Sequence, residues 1–370
     1  MQRRTFLGLS MSLMAWGPAA VLSSPDGPRF LSCRSDPDGR HFACLFEADG
    51  SIIFDLQLPL RGHGATLSED GSSAAVFSRR PGDLVWIIDL VEGRISHRIT
   101  APSHTHYYGH GVYSADGQWL MCCENRFESG EGVIGVYQVS ADYRRIGEMA
   151  SHGIGPHEIR RSADGDTLIV ANGGILTHPD MPRRKLNLSS MRPNLSYLDS
   201  QRGTLLEQVA PPEPWHQLSI RHLSVSGDDR VALAMQYQGD PDHSPPLIGL
   251  HRRGERLQLL SAPAEVQSRL HNYCGSVAFS GDGSWFAVSA PRGGLVTYWS
   301  GSGAYLGLHE QADACGLAPH ENGFLVSDGM GRLEQIGSNH EIRKSVPVAQ
   351  ARWDNHLLLC TTISGTSSSS

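Results

Sequence analysis

Residues 109–123, GHGVYSADGQWLMCC, read as an apolar run, a tight Ser-Ala-Asp-Gly turn and a second apolar run, which is the pattern of a β-hairpin. The pattern recurs as GHGATLSEDGSSAAVF from 62, PHEIRRSADGDTLIVA from 156, RHLSVSGDDRVALAM from 221 and CGSVAFSGDGSWFAVS from 274. A weaker copy, CGLAPHENGFLVS, starts at 315. Each pair is followed by a third apolar run, such as LVWIIDL from 84 or GLVTYWS from 294, and then by a more polar stretch. Four antiparallel strands returning at intervals of roughly 40 to 65 residues are the signature of propeller blades.

Six copies are visible, and the two ends of the chain supply a seventh. The N-terminal stretch RFLSCRSDPDGRHFACLFEADGSIIFDLQL lacks a good innermost strand, and the C-terminal VAQARWDNHLLLC is a strand without a blade. Pairing them closes the ring and removes the exposed sheet edges. The expected architecture is therefore all-β, a seven-bladed β-propeller over residues 27–362, closed by pairing of N- and C-terminal strands. The largest interruption, GGILTHPDMPRRKLNLSSMRPN from 173, is expected to be a functional loop on one face of the ring.

Composition supports an all-β chain with many turns: 41 glycines and 21 prolines punctuate short apolar runs. A formal charge of −7 with no basic stripe argues against a nucleic-acid surface. The first residues carry Arg3-Arg4 before an apolar run from Phe6 to Trp16 that is too short to span a bilayer. Residues 1–26 are expected to be a twin-arginine signal peptide, which places the mature protein in the periplasm. No later segment reads as a membrane span, and residues 363–370 read as a disordered tail. Seven cysteines cannot all pair, although Cys33 and Cys44 are candidates to face each other on adjacent strands.

The first strand of a blade lines the central channel, so residues shortly before the turn approach the axis. His110 and His222 lie six residues before their turn aspartates, Asp116 and Asp228, whereas His63 and His157 lie seven before Asp70 and Asp164. An odd difference points side chains to opposite faces unless a bulge intervenes. Imidazole is a ligand for Cu, Fe and Zn. His63, His110, His157 and His222, with Glu158 and His106 nearby, are therefore the candidate metal ligands. Copper or iron is expected before zinc, with binding that weakens as pH falls through about 6.5. Tyr107, Tyr108 and Tyr237 are candidate phenolic ligands. Arg61, Arg160, Arg221 and Arg292 are expected to make one mouth electropositive and to bind a small anionic ligand or metal complex, such as an iron chelate or haem carboxylates. No nucleophile elbow or phosphate loop is present, so a catalytic residue cannot be named.

RGHG from 61, HYYGHGVYSADG from 106, SHGIGPHE from 151, VANGGILTHPD from 170, LNLSSMRPNLSYLD from 186, HQLSIRHL from 216 and WDNHLLL from 353 together resemble a bacterial domain family of unknown function. The resemblance covers residues 28–360. It implies a periplasmic propeller exported by the twin-arginine route and encoded near imelysin-like and di-haem thiol-oxidoreductase-like proteins in iron-uptake clusters. Those envelope proteins are the partners it implies. More distantly, the repeats resemble the propeller of nitrous oxide reductase, whose channel histidines bind copper, but the second domain and Cys-rich copper motif of that enzyme are missing. The functional expectation is a propeller that binds a transition metal or metal complex in envelope iron or copper handling. The alternatives are a metal-dependent redox enzyme working with a haem partner and a non-catalytic docking scaffold.

Overall fold

The computed structural model describes residues 27–181 and 184–360. The expected signal segment, 1–26, and tail, 363–370, lie outside the described residues.

Seven four-stranded antiparallel sheets form the ring. Blades 2 to 7 follow in chain order, with innermost strands Gly62–Leu67, Thr105–Tyr113, Pro156–Arg161, Leu218–Val225, Ser276–Phe279 and Ala314–His320. Blade 1 is composite. Its three outer strands, Arg29–Ser35, His41–Glu47 and Ile52–Leu58, come from the N-terminal end, and its innermost strand is Arg352–Cys360. The two ends pair antiparallel from Arg29 opposite Cys360 to Ser35 opposite Arg352, which is the closure expected from the sequence.

The repeated turn has a common chemistry. In blades 2 to 6 the turn serine hydroxyl donates to the turn aspartate two residues on, at 2.5–2.7 Å. The same serine oxygen accepts the backbone N–H that starts the second strand, so each turn closes on itself. In blade 5, Asp229 takes the left-handed conformation (φ 62°) that glycine takes in the other copies.

Apolar residues of neighbouring blades pack face to face and hold the ring. Leu31, Leu45, Val76, Trp86 and Ile88 join blades 1 and 2, and Phe30, Phe46, Leu325, Leu333 and Trp353 join blades 7 and 1. Trp353 on the closing strand is buried, with its ring centroid 4.6 Å from that of Phe46. Cys33 and Cys44 do not face each other: Cys33 is paired with Ala43 and Cys44 with Ser32, so the thiols leave opposite faces of the sheet. All seven cysteines are buried free thiols. Among the described residues no helix is long and apolar enough to cross a membrane.

Closure through a packed aromatic makes a quantitative expectation. Trp353→Ala should cost about 3–5 kcal/mol of unfolding free energy, the usual loss for a buried tryptophan, measured by urea denaturation. A loss below about 1 kcal/mol would mean that the Arg352–Cys360 strand does not hold the ring shut.

Candidate metal centre on the propeller axis

The inner strands of blades 2 to 6 begin at one mouth of the channel and end in the Ser-x-Asp turn at the other, and the histidines of blades 2 to 5 lie between. The uneven spacing of six and seven residues is absorbed by bulges. The ladder slips between Gly62 and Ala65, Tyr107 and Gly111, Pro156 and Glu158, and Ile220 and His222. Each slip adds residues to the inner strand and re-aims its side chains. His63, His110, His157 and His222 consequently meet at the axis, with ring centroids 4.7–6.3 Å apart.

A fifth histidine joins them. His356 lies on the closing strand, in the bulge opposite Ser32 and Arg34, with its ring 4.5 Å from His63, 4.6 Å from His110 and 4.5 Å from His222. Ser32 Oγ donates to the His356 carbonyl at 2.6 Å and fixes the backbone there. Blades 6 and 7 place no imidazole in this cluster. Two glycines make the approach of blades 2 and 3 possible. A Cβ on Gly64 would lie 2.5 Å from the Gly109 carbonyl oxygen, and one on Gly109 would lie 2.6 Å from the His63 ring.

Two carboxylates orient two of the rings. His63 Nδ1 donates to Asp354 at 2.8 Å, and His222 Nδ1 donates to Glu158 at 3.0 Å. Carboxylates that accept from Nδ1 leave Nε2 as the lone pair available to a metal, the usual outer support of a metal-bound histidine. Asp354 also accepts from Arg61 at 2.6 Å, from Arg79 at 3.2 Å and from the Asn355 backbone N–H at 2.8 Å. Burial pushes the Asp354 carboxyl up, but the hydrogen bond from His63 and the charges of Arg79 and Arg61 outweigh it and hold it far below the usual carboxylate range. Glu158 is held down against its burial by Arg160 and His222.

Burial lowers the His63 imidazole to about 4 against the pull of Asp354, and it lowers His110, His157 and His356 well below 6.5, helped by neighbouring imidazoles. These rings are neutral and ready to ligate at neutral pH. The pH window expected for free histidine therefore moves down by more than two units at His63. Three buried ring nitrogens, His110 Nε2, His157 Nδ1 and His356 Nε2, have no hydrogen-bond partner. His63, His110 and His356 form one group whose ligating atoms lie within 4.8 Å of one another, and His110, His157 and His222 form another. His110 belongs to both. Cys33 lines the small adjoining cavity, but burial pushes its thiol far up, so the donors gathered here are nitrogens.

Other sequence candidates lie elsewhere. His106 is not part of the cluster: its Nδ1 donates to the Tyr107 carbonyl at 3.0 Å, its Nε2 accepts from Asn125 at 3.0 Å, and its ring stacks on Phe127. With both nitrogens engaged it has no lone pair to offer. Tyr107 is a core residue bonded to the Tyr137 hydroxyl, and Tyr237 packs against Trp215. The four arginines do not share one mouth. Arg61 is bonded to Asp354, and Arg160 is bonded to Glu158 and faces the turn side of the channel. Arg221 and Arg292 alone of the four line the cavity of about 230 Å³ at the other mouth, together with Arg79, Arg80, Lys185, Tyr108 and Tyr273. Its floor is His63, His157 and His222. From the long stretch after Asn172, Lys185 lines this mouth, its ammonium hydrogen-bonded to Gln238.

Comparison with known proteins adds the family and the fold. No curated protein matches the chain. A solved chain of Kuenenia stuttgartiensis hydrazine synthase superimposes with a TM-score of 0.61, covering 90% of this chain and 99% of that one. The two are 13% identical, so the likeness is one of fold. The profile of a family described as protein of unknown function (DUF1513) matches residues 56–360, and the chain belongs to that family.

Proposed function

We propose that this propeller binds a transition metal ion, copper or iron before zinc, on its axis through His63, His110, His157, His222 and His356. The observation that carries the reading is the three orphaned ring nitrogens of His110, His157 and His356. A buried polar group without a partner costs about 1–3 kcal/mol, and each three-histidine group contains two of these three residues beside an oriented ring, His63 in one and His222 in the other, a site that a bound cation relieves. Imidazole donors without thiolate suit Cu, Fe and Zn rather than Mg or Ca. Ligands drawn from five blades exist as a set only in the closed ring, so binding is coupled to folding. A twin-arginine leader, which serves proteins exported already folded, is consistent with that coupling and with a role in envelope iron or copper handling.

The double variant His110→Ala/His157→Ala breaks both three-histidine groups. Metal per chain, measured by elemental mass spectrometry after loading with Cu, Fe or Zn, should fall at least tenfold, with the thermal transition still cooperative. If wild-type protein takes up none of these metals, or the double variant keeps them, the histidines are structural.

The pH dependence of the metal-free protein follows from the lowered imidazoles. His63 titrates near 6.5 in the unfolded chain and near 4 in the fold, so below pH 6.5 the unfolded state binds the extra proton. Stability is full above pH 6.5 and is lost as pH falls towards 4, by about 3 kcal/mol for His63 alone. Urea midpoints at pH 7.5, 5.5 and 4.5 should decline in that order, and His63→Gln should flatten the slope; an unchanged slope in the variant would refute the assignment.

A further inference from the structure

The cavity above the histidines carries a second chemistry. Arg79, Arg80, Lys185, Arg221 and Arg292 line it, and among the described residues no carboxylate does. Arg79 is partly neutralised by Asp354, but Arg80, Lys185, Arg221 and Arg292 make no ion pair with a described residue. Arg221 is the most exceptional. Its Nε is buried without a hydrogen-bond partner, and burial together with the charge of Arg80 lowers the guanidinium to about 10. Lys185 is lowered by burial and by Arg221, Arg292 and Arg80. Arg292 is held in place by stacking over Tyr273 at 4.4 Å. Arg80 and Arg221 are half-buried and Lys185 and Arg292 exposed, and four unpaired cations around one cavity repel one another.

We propose that this cavity is a binding site for a small organic anion carrying two or more carboxylates. Charge sets the sign and the multiplicity, since one carboxylate leaves most of the cations unmatched. Guanidinium forks favour planar carboxylates through paired hydrogen bonds, and three of the four unpaired cations are arginines. Size separates an organic anion from a simple one: a cavity of about 230 Å³ has the room of roughly eight waters at about 30 Å³ each, more than a tetrahedral inorganic anion fills. Tyr108 and Tyr273 give the carbon skeleton aromatic walls, and Gln236 and Asn355 supply neutral polar contacts. The floor of histidines sets a carboxylate of the ligand beside the axial cluster. The anion site stands on its own cations and is tested without metal, so its failure and that of the metal reading are separable.

The test is calorimetric titration of chelator-stripped full-length protein at pH 7.5 with citrate and, separately, with inorganic phosphate. Citrate should bind with a submillimolar Kd, phosphate at least tenfold more weakly, and raising NaCl from 0.05 to 0.5 M, which shortens the screening length about threefold, should weaken citrate at least tenfold. Arg221→Gln/Arg292→Gln should lower citrate affinity at least tenfold. Because the Nε of Arg221 is buried, Lys185→Gln/Arg292→Gln, at two exposed positions, is made alongside, with the same direction expected and circular dichroism melting to verify the fold. No citrate binding to wild type, equal affinity in a folded double variant, or phosphate binding as tight as citrate would each overturn the proposal.

Discussion

The contact between Asp354 and His63 ties the architecture to the site. Asp354 sits on the closing strand and His63 on the inner strand of blade 2, so their 2.8 Å hydrogen bond spans the seam at which the ring is completed. A carboxylate this deeply buried is tolerated only because Arg61, Arg79, the His63 ring and a backbone N–H all serve it. The same arrangement sets the tautomer of His63. Closure of the fold and orientation of the His63 ring are thus a single structural event, and blade 4 repeats the device with Glu158 reaching His222 of blade 5.

The propeller was legible in the sequence because blades 2 to 6 spell the same hairpin, and its Ser-x-Asp turn is enforced by local hydrogen bonds that need no distant partner. Four of the five axial histidines were legible for the same reason: they could be counted back from that turn. His356 escaped the count because its strand is followed by no such turn, although its membership of blade 1 made the position inspectable. The bulges that reconcile the spacings are set by packing between inner strands, not by a local pattern, so the convergence of the rings could be stated only as a condition. The arginines were read by proximity in sequence. Arg61 and Arg160 instead answer Asp354 and Glu158, the buried carboxylates that hold His63 and His222, while Arg79, Arg80 and Lys185 reach the cavity from connecting loops.

Net charge conceals the electrostatics of the channel. The chain carries −7, yet one mouth is lined by cations and the other, of about 490 Å³, mixes Glu69 with Arg160, Arg161 and leucines of the closing strand. A channel with unlike ends discriminates by direction. A bare dication approaching the cationic mouth meets a rising potential, whereas the same ion inside an anionic complex is drawn in. The lowered imidazoles fit this field: neighbouring positive charge and burial both disfavour protonation, so the donors stay neutral beside the cations.

The composite first blade also orders events in time. Chains are made from the N-terminus, and domains assemble in that direction during synthesis. His63, His110, His157 and His222 all emerge before the strand that carries His356 and Asp354, and until that strand docks, the outer strands of blade 1 have no inner partner. The nascent protein thus holds an incomplete donor set through most of its synthesis, with His63 lacking its orienting carboxylate. The group of His63, His110 and His356 is thus completed only when the closing strand docks, whereas His110, His157 and His222 are gathered by blades 3 to 5 alone.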